Sequence, residues 1–418
     1  MPRPSSSASQ SRRGICPLLR ACIICLLGFA SLNACILWRV RSSIFEGYGD
    51  FASFYTAGSI VRRGQSARLY DPVLQWKVQQ EFASKVKIRR GPLPYIRPPF
   101  ESLLFLPLAY LNYRTAWMVW LVFKVALVLI LPFVLPPPTC GCGMLKTHVF
   151  RTLICFAFFP VGFDMLQGQD SILLLIILAF SLRLMLRGAA VRSGAVMALG
   201  LFKFHLIIPL LLTLAFARKG RVVLGFLLTA LLCLLTSIGM VRWSGILAYP
   251  GYLWRLNRVP GFGMVVKPQS MPNFRGMFAV LLGGESHSLV VHGLLIAGVA
   301  LGVVIAAESW RQREQRATKA AFSFSIVVIL VTSYYANSYD MTLLLLPLLL
   351  VGEPVLGGDA GGWPETFFLA VASVLLCSPL LWLLALGVDQ FCWIALILFA
   401  FAVSIFALGK NWRVLGPA

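Results

Sequence analysis

The chain has 418 residues, 59% of them hydrophobic and only 12% charged, with a mean hydropathy of +0.82. Soluble domains carry about 25% charged residues, so a water-soluble globule is excluded. The 37 lysines and arginines outnumber 15 acids to give a net charge of +22. Because they sit in short loops beside apolar runs, that charge points to anionic lipid head groups and not to nucleic acid.

A hydrocarbon core of ~30 Å takes ~20 apolar residues per helical crossing. Such runs recur along the chain and predict an all-α polytopic membrane protein with about 12 transmembrane helices. These fall at 15–37, 115–136, 149–165, 170–186, 193–202, 205–217, 222–241, 286–307, 320–335, 339–352, 366–387 and 391–409. The embedded domain is 15–409, between a cytoplasmic N-terminal tail (1–14) and a cytoplasmic C-terminal tail (410–418). The first run outlasts a signal-peptide core of ~7–15 residues and is read as uncleaved. Ten cysteines, among them Cys22/Cys25 and Cys140/Cys142, lack the second half of a zinc site.

Two long outer segments are expected, 38–97 and 242–285. In the first, Phe51, Phe54, Tyr55 and Val61 recur at helical spacing, with Ser53, Thr56, Ser59, Arg62 and Arg63 largely elsewhere on the wheel. That pattern predicts an amphipathic interfacial helix. Asp71-Pro72 then supplies an N-cap and a first-turn proline for a second one, with Leu74, Val78, Phe82 and Val86 on one face. The apolar stretch 98–111 is punctuated by Pro98, Pro99 and Pro107 and is read as a re-entrant or interfacial piece. The positive-inside rule places Arg187/Arg192 and Arg218/Lys219/Arg221 together on the inner side only if 193–217 is a hairpin. Its tip, Phe202-Lys203-Phe204-His205, then lies on the outer side.

No nucleotide-binding or metal-binding spacing occurs, and neither cofactor nor metal is expected. The few acids can be weighed singly. Asp50 opens the first outer helix, either as its cap or as a carboxylate whose basicity is raised by partial desolvation. Asp340 opens an apolar helix and suits a cap equally well, and Asp164 and Asp170 bracket Gln167-Gly168-Gln169. A charge inside a membrane segment costs ~3 kcal/mol and tends to be functional or paired; Lys203 is such a charge, unless it snorkels to the interface. A base on the outer surface with fixed cations beside it suits the breaking of a sugar–phosphate bond in a lipid carrier.

The run Asp50-Phe51-x-x-Phe54-Tyr55-x-Ala57-Gly58, continuing to Leu69-Tyr70-Asp71-Pro72, resembles the start of the first loop in family 87 of the glycosyltransferases. Tyr95-Ile96-Arg97-Pro98-Pro99-Phe100 is similar to that family's Pro-Pro ledge, Gly168-Gln169 to its GQ turn, and Tyr339-Asp340 to its late Tyr-Asp motif. Lys203-Phe204 stands where the family often has Lys-Pro, and Ala336-Asn337-Ser338 where it often has a histidine. The resemblance implies a C-type fold and inverting transfer of a hexose such as mannose, with Asp50 as base. The donor would be a polyprenyl-phosphate sugar and the acceptor a lipid-linked or cell-envelope glycan, at an inner or plasma membrane. Lys203, with His205 and Arg97, is expected at the donor phosphate. Tyr55, Tyr70, Gln169, Asp170, Asn337 and Asp340 are expected to line the site. A lipid-carrier flippase and an envelope-polymer ligase are the competing readings.

Overall fold

A computed structural model describes residues 17–86, 91–137, 144–256, 268–283, 288–310, 315–357, 362–381, 383 and 390–414. The two expected tails, most of the centre of the second long segment and Cys140/Cys142 lie outside or at the edge of these residues. The described residues are helical with no strand. Helix α1 (Pro17–Phe45) runs eight residues beyond the expected first span and ends against the site-bearing segment, which begins with α2 (Phe51–Arg62) and α3 (Pro72–Ala83). The stretch 98–111 is a series of short turns, including the single turn α4 (Ser102–Phe105), and crosses nothing.

The bundle proper comprises α5 (Tyr113–Val134), α6 (Met144–Ala157), α7 (Phe159–Gln167), α8 (Ser171–Leu186), α9 (Ala190–Ala198), α10 (Phe204–Phe216) and α11 (Gly220–Leu256). After it come α12 (Phe274–Leu281), α13 (Ser288–Ser309), α14 (Gln315–Thr332), α15 (Leu345–Gly357), α16 (Trp363–Leu376) and α17 (Ile394–Val414). Among the described residues, seven helical stretches are long and apolar enough to cross a membrane by length and composition, the bent stretch 190–216 included, or eight with the α6–α7 pair, which bends by 60°. The protein is therefore a multi-pass membrane protein. Several of the twelve expected spans correspond to apolar helices shorter than that measure: α8 has 16 residues and α16 has 14. Leu224, Leu228, Leu231, Leu232 and Leu235 of α11 form an exposed apolar stripe that suits lipid contact.

The stretch 190–216 is not a straight rod. It breaks at the 3-10 turn Leu199–Lys203, where Lys203 has ψ +58°. Gly200 lies against Leu174 near the start of α8, while Ser193 bonds Ser181 near its end, so α9 climbs alongside α8. Yet Met185, Leu186, Ala190, Arg218–Val222, Gln315 and Thr318 all border one cavity at the opposite end. α10 must therefore descend again. The two arms form a hairpin whose ends share the basic end of the bundle, and 9 and 13 residues reach only ~14 and ~20 Å. Neither arm is a full crossing. Close approach of α9 to α11 depends on glycine: a Cβ on Gly194 would lie 1.8 Å from the Val222 carbonyl oxygen.

α2 differs from the expected surface helix. Residues Phe51–Ile60 are all buried, hydroxyl residues included. Thr56 Oγ1 donates to the Ala52 carbonyl and Ser53 Oγ to that of Asp50, so these side chains need no water. Gly58 lets the Phe105 backbone lie against the helix, where a Cβ would come within 2.4 Å of its oxygen. α3 keeps its predicted cap: Asp71 accepts from Val73 N and Leu74 N at 2.9 and 3.3 Å.

Candidate active site

A cavity of about 420 Å³ opens between α2, the strap 93–97, the α7–α8 turn, the hairpin tip and the segment 335–340. Its placement follows from three turns. The first is the strap. Tyr252 donates to the carbonyl of Tyr95 (3.1 Å), Tyr249 to that of Ile96 (2.7 Å) and Tyr70 to that of Arg97 (2.7 Å). Tyr249 and Tyr252 reach it because α11 breaks at Arg242, whose φ of +61° re-aims the rest of the helix. The second is the α7–α8 turn, where Gly168 takes φ +69° and caps α7. Trp120 Nε1 bonds the Gly168 carbonyl (2.9 Å), and Asp164 accepts from Ser171 N (2.9 Å) and from Lys124 (3.2 Å). The third is the late turn, where Asp340 accepts from Asn337 N at 2.9 Å in a capping box.

These turns assemble one connected polar network. Asp50 makes no side-chain cap bond to α2; its carboxylate accepts from Gln169 Nε2 at 2.7 Å. The other end of that amide, Gln169 Oε1, accepts from Arg97 Nη2 at 3.1 Å. Arg97 also donates to Asp170 Oδ1 (3.0 Å), which Lys203 Nζ reaches at 2.8 Å. Lys203 is fully buried; it pairs with Asp340 (2.5 Å), bonds Ser171 Oγ (2.5 Å) and lies over the Tyr339 ring. Buried charges persist only when paired and hydrogen-bonded in this way.

The expected site residues divide accordingly. Asp50, Arg97, Gln169, His205, Asn337 and Asp340 line the cavity. Asp170 and Lys203 lie behind its wall, tied to each other. Lys203 neither snorkels nor stands exposed at a hairpin tip; two carboxylates neutralise it, which a lone intramembrane cation requires. Tyr70 braces Arg97 from behind. Tyr55 points away, bonding the Leu111 carbonyl (2.7 Å) and packing on Phe82 and Tyr113. The buried Nε2 of His205 has no hydrogen-bond partner among the described residues, and its ring meets Tyr335 on the cavity wall.

Three contributors escaped the sequence reading. Tyr335 lines the cavity. Lys124 is a buried lysine inside an apolar helix, the same signal that singled out Lys203, and it holds the turn carrying Gln169. Glu101 is buried beside Asp170, and its place in a proline-rich ledge gave no hint of that.

A helical multi-pass membrane protein with a buried, charge-lined cavity beside one end of its bundle is thus defined. The family model for glycosyltransferase family 87 matches residues 95–334, more than half of the chain, and the chain belongs to that family. The match takes in most of the strap, the α7–α8 turn and the hairpin; Asp50 lies well before it and Asp340 just after it. Neither the curated proteins nor the solved structures contain a match.

Proposed function

We propose that the cavity transfers a hexose, with mannose the first candidate, from a polyprenyl-phosphate donor to a lipid-linked or envelope glycan hydroxyl. The reaction would take place on the outer side of an inner or plasma membrane. The observation that carries this reading is one wall bearing a carboxylate and a guanidinium held in register by a single amide, Asp50–Gln169–Arg97. Asp50 takes the proton from the acceptor hydroxyl as its oxygen attacks C1. The bond from C1 to the phosphate oxygen breaks, and its electron pair leaves with the phosphate. Attack opposite the leaving group inverts the anomeric carbon. Arg97 faces the phosphate, with His205 donating from the hairpin tip. Lys203 has its charge committed to Asp170 and Asp340 and serves instead to position Arg97 and the late turn.

The test is transfer from radiolabelled polyprenyl-phosphate mannose in proteoliposomes carrying extracted envelope lipids. Wild type should consume the donor, and Asp50→Asn should bind it without transfer. Equal transfer by both proteins would overturn the assignment of Asp50. A single-sugar donor also separates this reading from the polymer ligase, which would need a preassembled glycan chain.

A further inference from the structure

Glu101 ends the turn Pro99–Glu101 and is 3% exposed. Its Oε2 accepts from Tyr95 OH at 3.0 Å. Its Oε1 and the Oδ2 of Asp170 are both buried, and neither has a donor among the surrounding groups. The two carboxyl groups nevertheless face each other, each with one buried oxygen that no donor reaches. Two facing carboxylates have no hydrogen to share and repel each other; a single proton on the pair would satisfy both stranded oxygens. Asp170 is in contact with both Arg97 and Lys203, whereas Glu101 has a phenol as its other contact. The proton therefore belongs to Glu101.

We propose that Glu101 is a neutral carboxylic acid that donates to Asp170 and so sets the charge Arg97 presents to the donor phosphate, making it a positioning residue of the site. Arg97 and Lys203 then balance Asp170 and Asp340. An ionised Glu101 would add a third buried negative charge behind Arg97 and repel the phosphate. Burial, reinforced by Asp170, pushes the Glu101 carboxyl well above the usual carboxylate range. For Asp170, burial is outweighed by Arg97 and Lys203, which hold it low. Arg97 also faces Glu101 and opposes the rise, and the remaining neighbours are the phenols of Tyr70, Tyr95 and Tyr249.

The inference rests on the glycosyltransferase reading only in its kinetic arm. In the first arm, infrared difference spectra of purified wild type against Glu101→Gln should show, at neutral pH, the carbonyl stretch of one protonated carboxylic acid. A difference confined to carboxylate bands would overturn the proposal whatever the protein transfers. In the second arm, Glu101→Leu should raise the KM for polyprenyl-phosphate mannose about tenfold, the effect of an unsatisfied buried acceptor. Glu101→Gln, which still donates, should rescue it and abolish the rise in KM expected of wild type at alkaline pH. Equal KM values and pH profiles in all three proteins would overturn the positioning role even where the infrared band is present.

Discussion

Two buried arginines, one at each end of the bundle, are paired with acids and differ in what surrounds them. At the basic end, Arg151 makes a two-pronged pair with Glu353 (2.5 and 2.6 Å) and spends its remaining donors on the carbonyls of Pro132 and Pro136 (3.0 Å each). It borders no described cavity and joins the end of α5 to α6 and α15. Arg97 has comparable burial but is bound to an acid and an amide on the wall of a 420 Å³ cavity, with Asp50 on the far side of that amide. A buried charge in a membrane protein is therefore a candidate for chemistry where space for a ligand adjoins it. Where the fork is saturated by carbonyls and a carboxylate, it is a joint between helices.

The sharpest way to break this comparison is at Asp50. Asp50→Asn keeps the size of the side chain, and no cap bond to α2 is at stake, so the transfer rate should fall ~10²–10⁴-fold with detergent stability unchanged. Near-normal turnover would place the base elsewhere. Next come the saturated charges. Arg151→Met strands Glu353 and should cost ~3–5 kcal/mol of stability, seen as a lower thermal midpoint, while the protein that remains folded keeps its KM. Lys203→Met should lose as much stability, since it strands Asp170 and Asp340, but should also raise the donor KM through Arg97. A changed KM in the first variant, or an unchanged one in the second, would erase the distinction between the two ends.

A smaller effect is expected at Gly168, where a Cβ would meet Phe51 Cβ at 2.5 Å in a left-handed backbone. Gly168→Ala should cost ~1–3 kcal/mol and shift Gln169 away from Asp50, lowering kcat more than it raises KM. Smallest is Asp71→Ala, the removal of a cap remote from the cavity, at ~1 kcal/mol with kinetics unchanged. The pH dependence of stability sharpens the same contrast. Above the ordinary carboxyl range and below the raised Glu101 value, the folded protein holds one proton more than the unfolded chain. Stability therefore falls as pH rises through that window, and Glu101→Gln should remove this contribution to the slope, as read from midpoints across a pH series.

What the sequence disclosed was whatever propagates along the chain. The Asp71 cap follows from two adjacent residues, and the fold-back between α9 and α10 from the spacing of two basic clusters. Partners across the fold were not legible. Nothing near Glu101 announces Asp170, and the hydroxyls of α2 read as a polar face because their bonds to the preceding turn only matter once the helix is buried. Lys203 and Asp50 stood out by residue type alone, yet type did not reveal that one is locked behind the wall and the other faces the cavity. The difference lies in distances between residues more than a hundred positions apart, such as Lys203 to Asp340 and Gln169 to Asp50.

The hairpin of α9 and α10 leaves one end of the bundle and returns to it, so it contributes nothing to the parity of the chain. Every helix after Gly220 keeps its direction whether the hairpin is long, short or missing. A lineage could therefore lengthen, trim or exchange this element without inverting the rest of the protein. The part that delivers His205 to the cavity and Lys203 to the acids behind its wall is the one whose remodelling leaves the wiring of the membrane domain untouched.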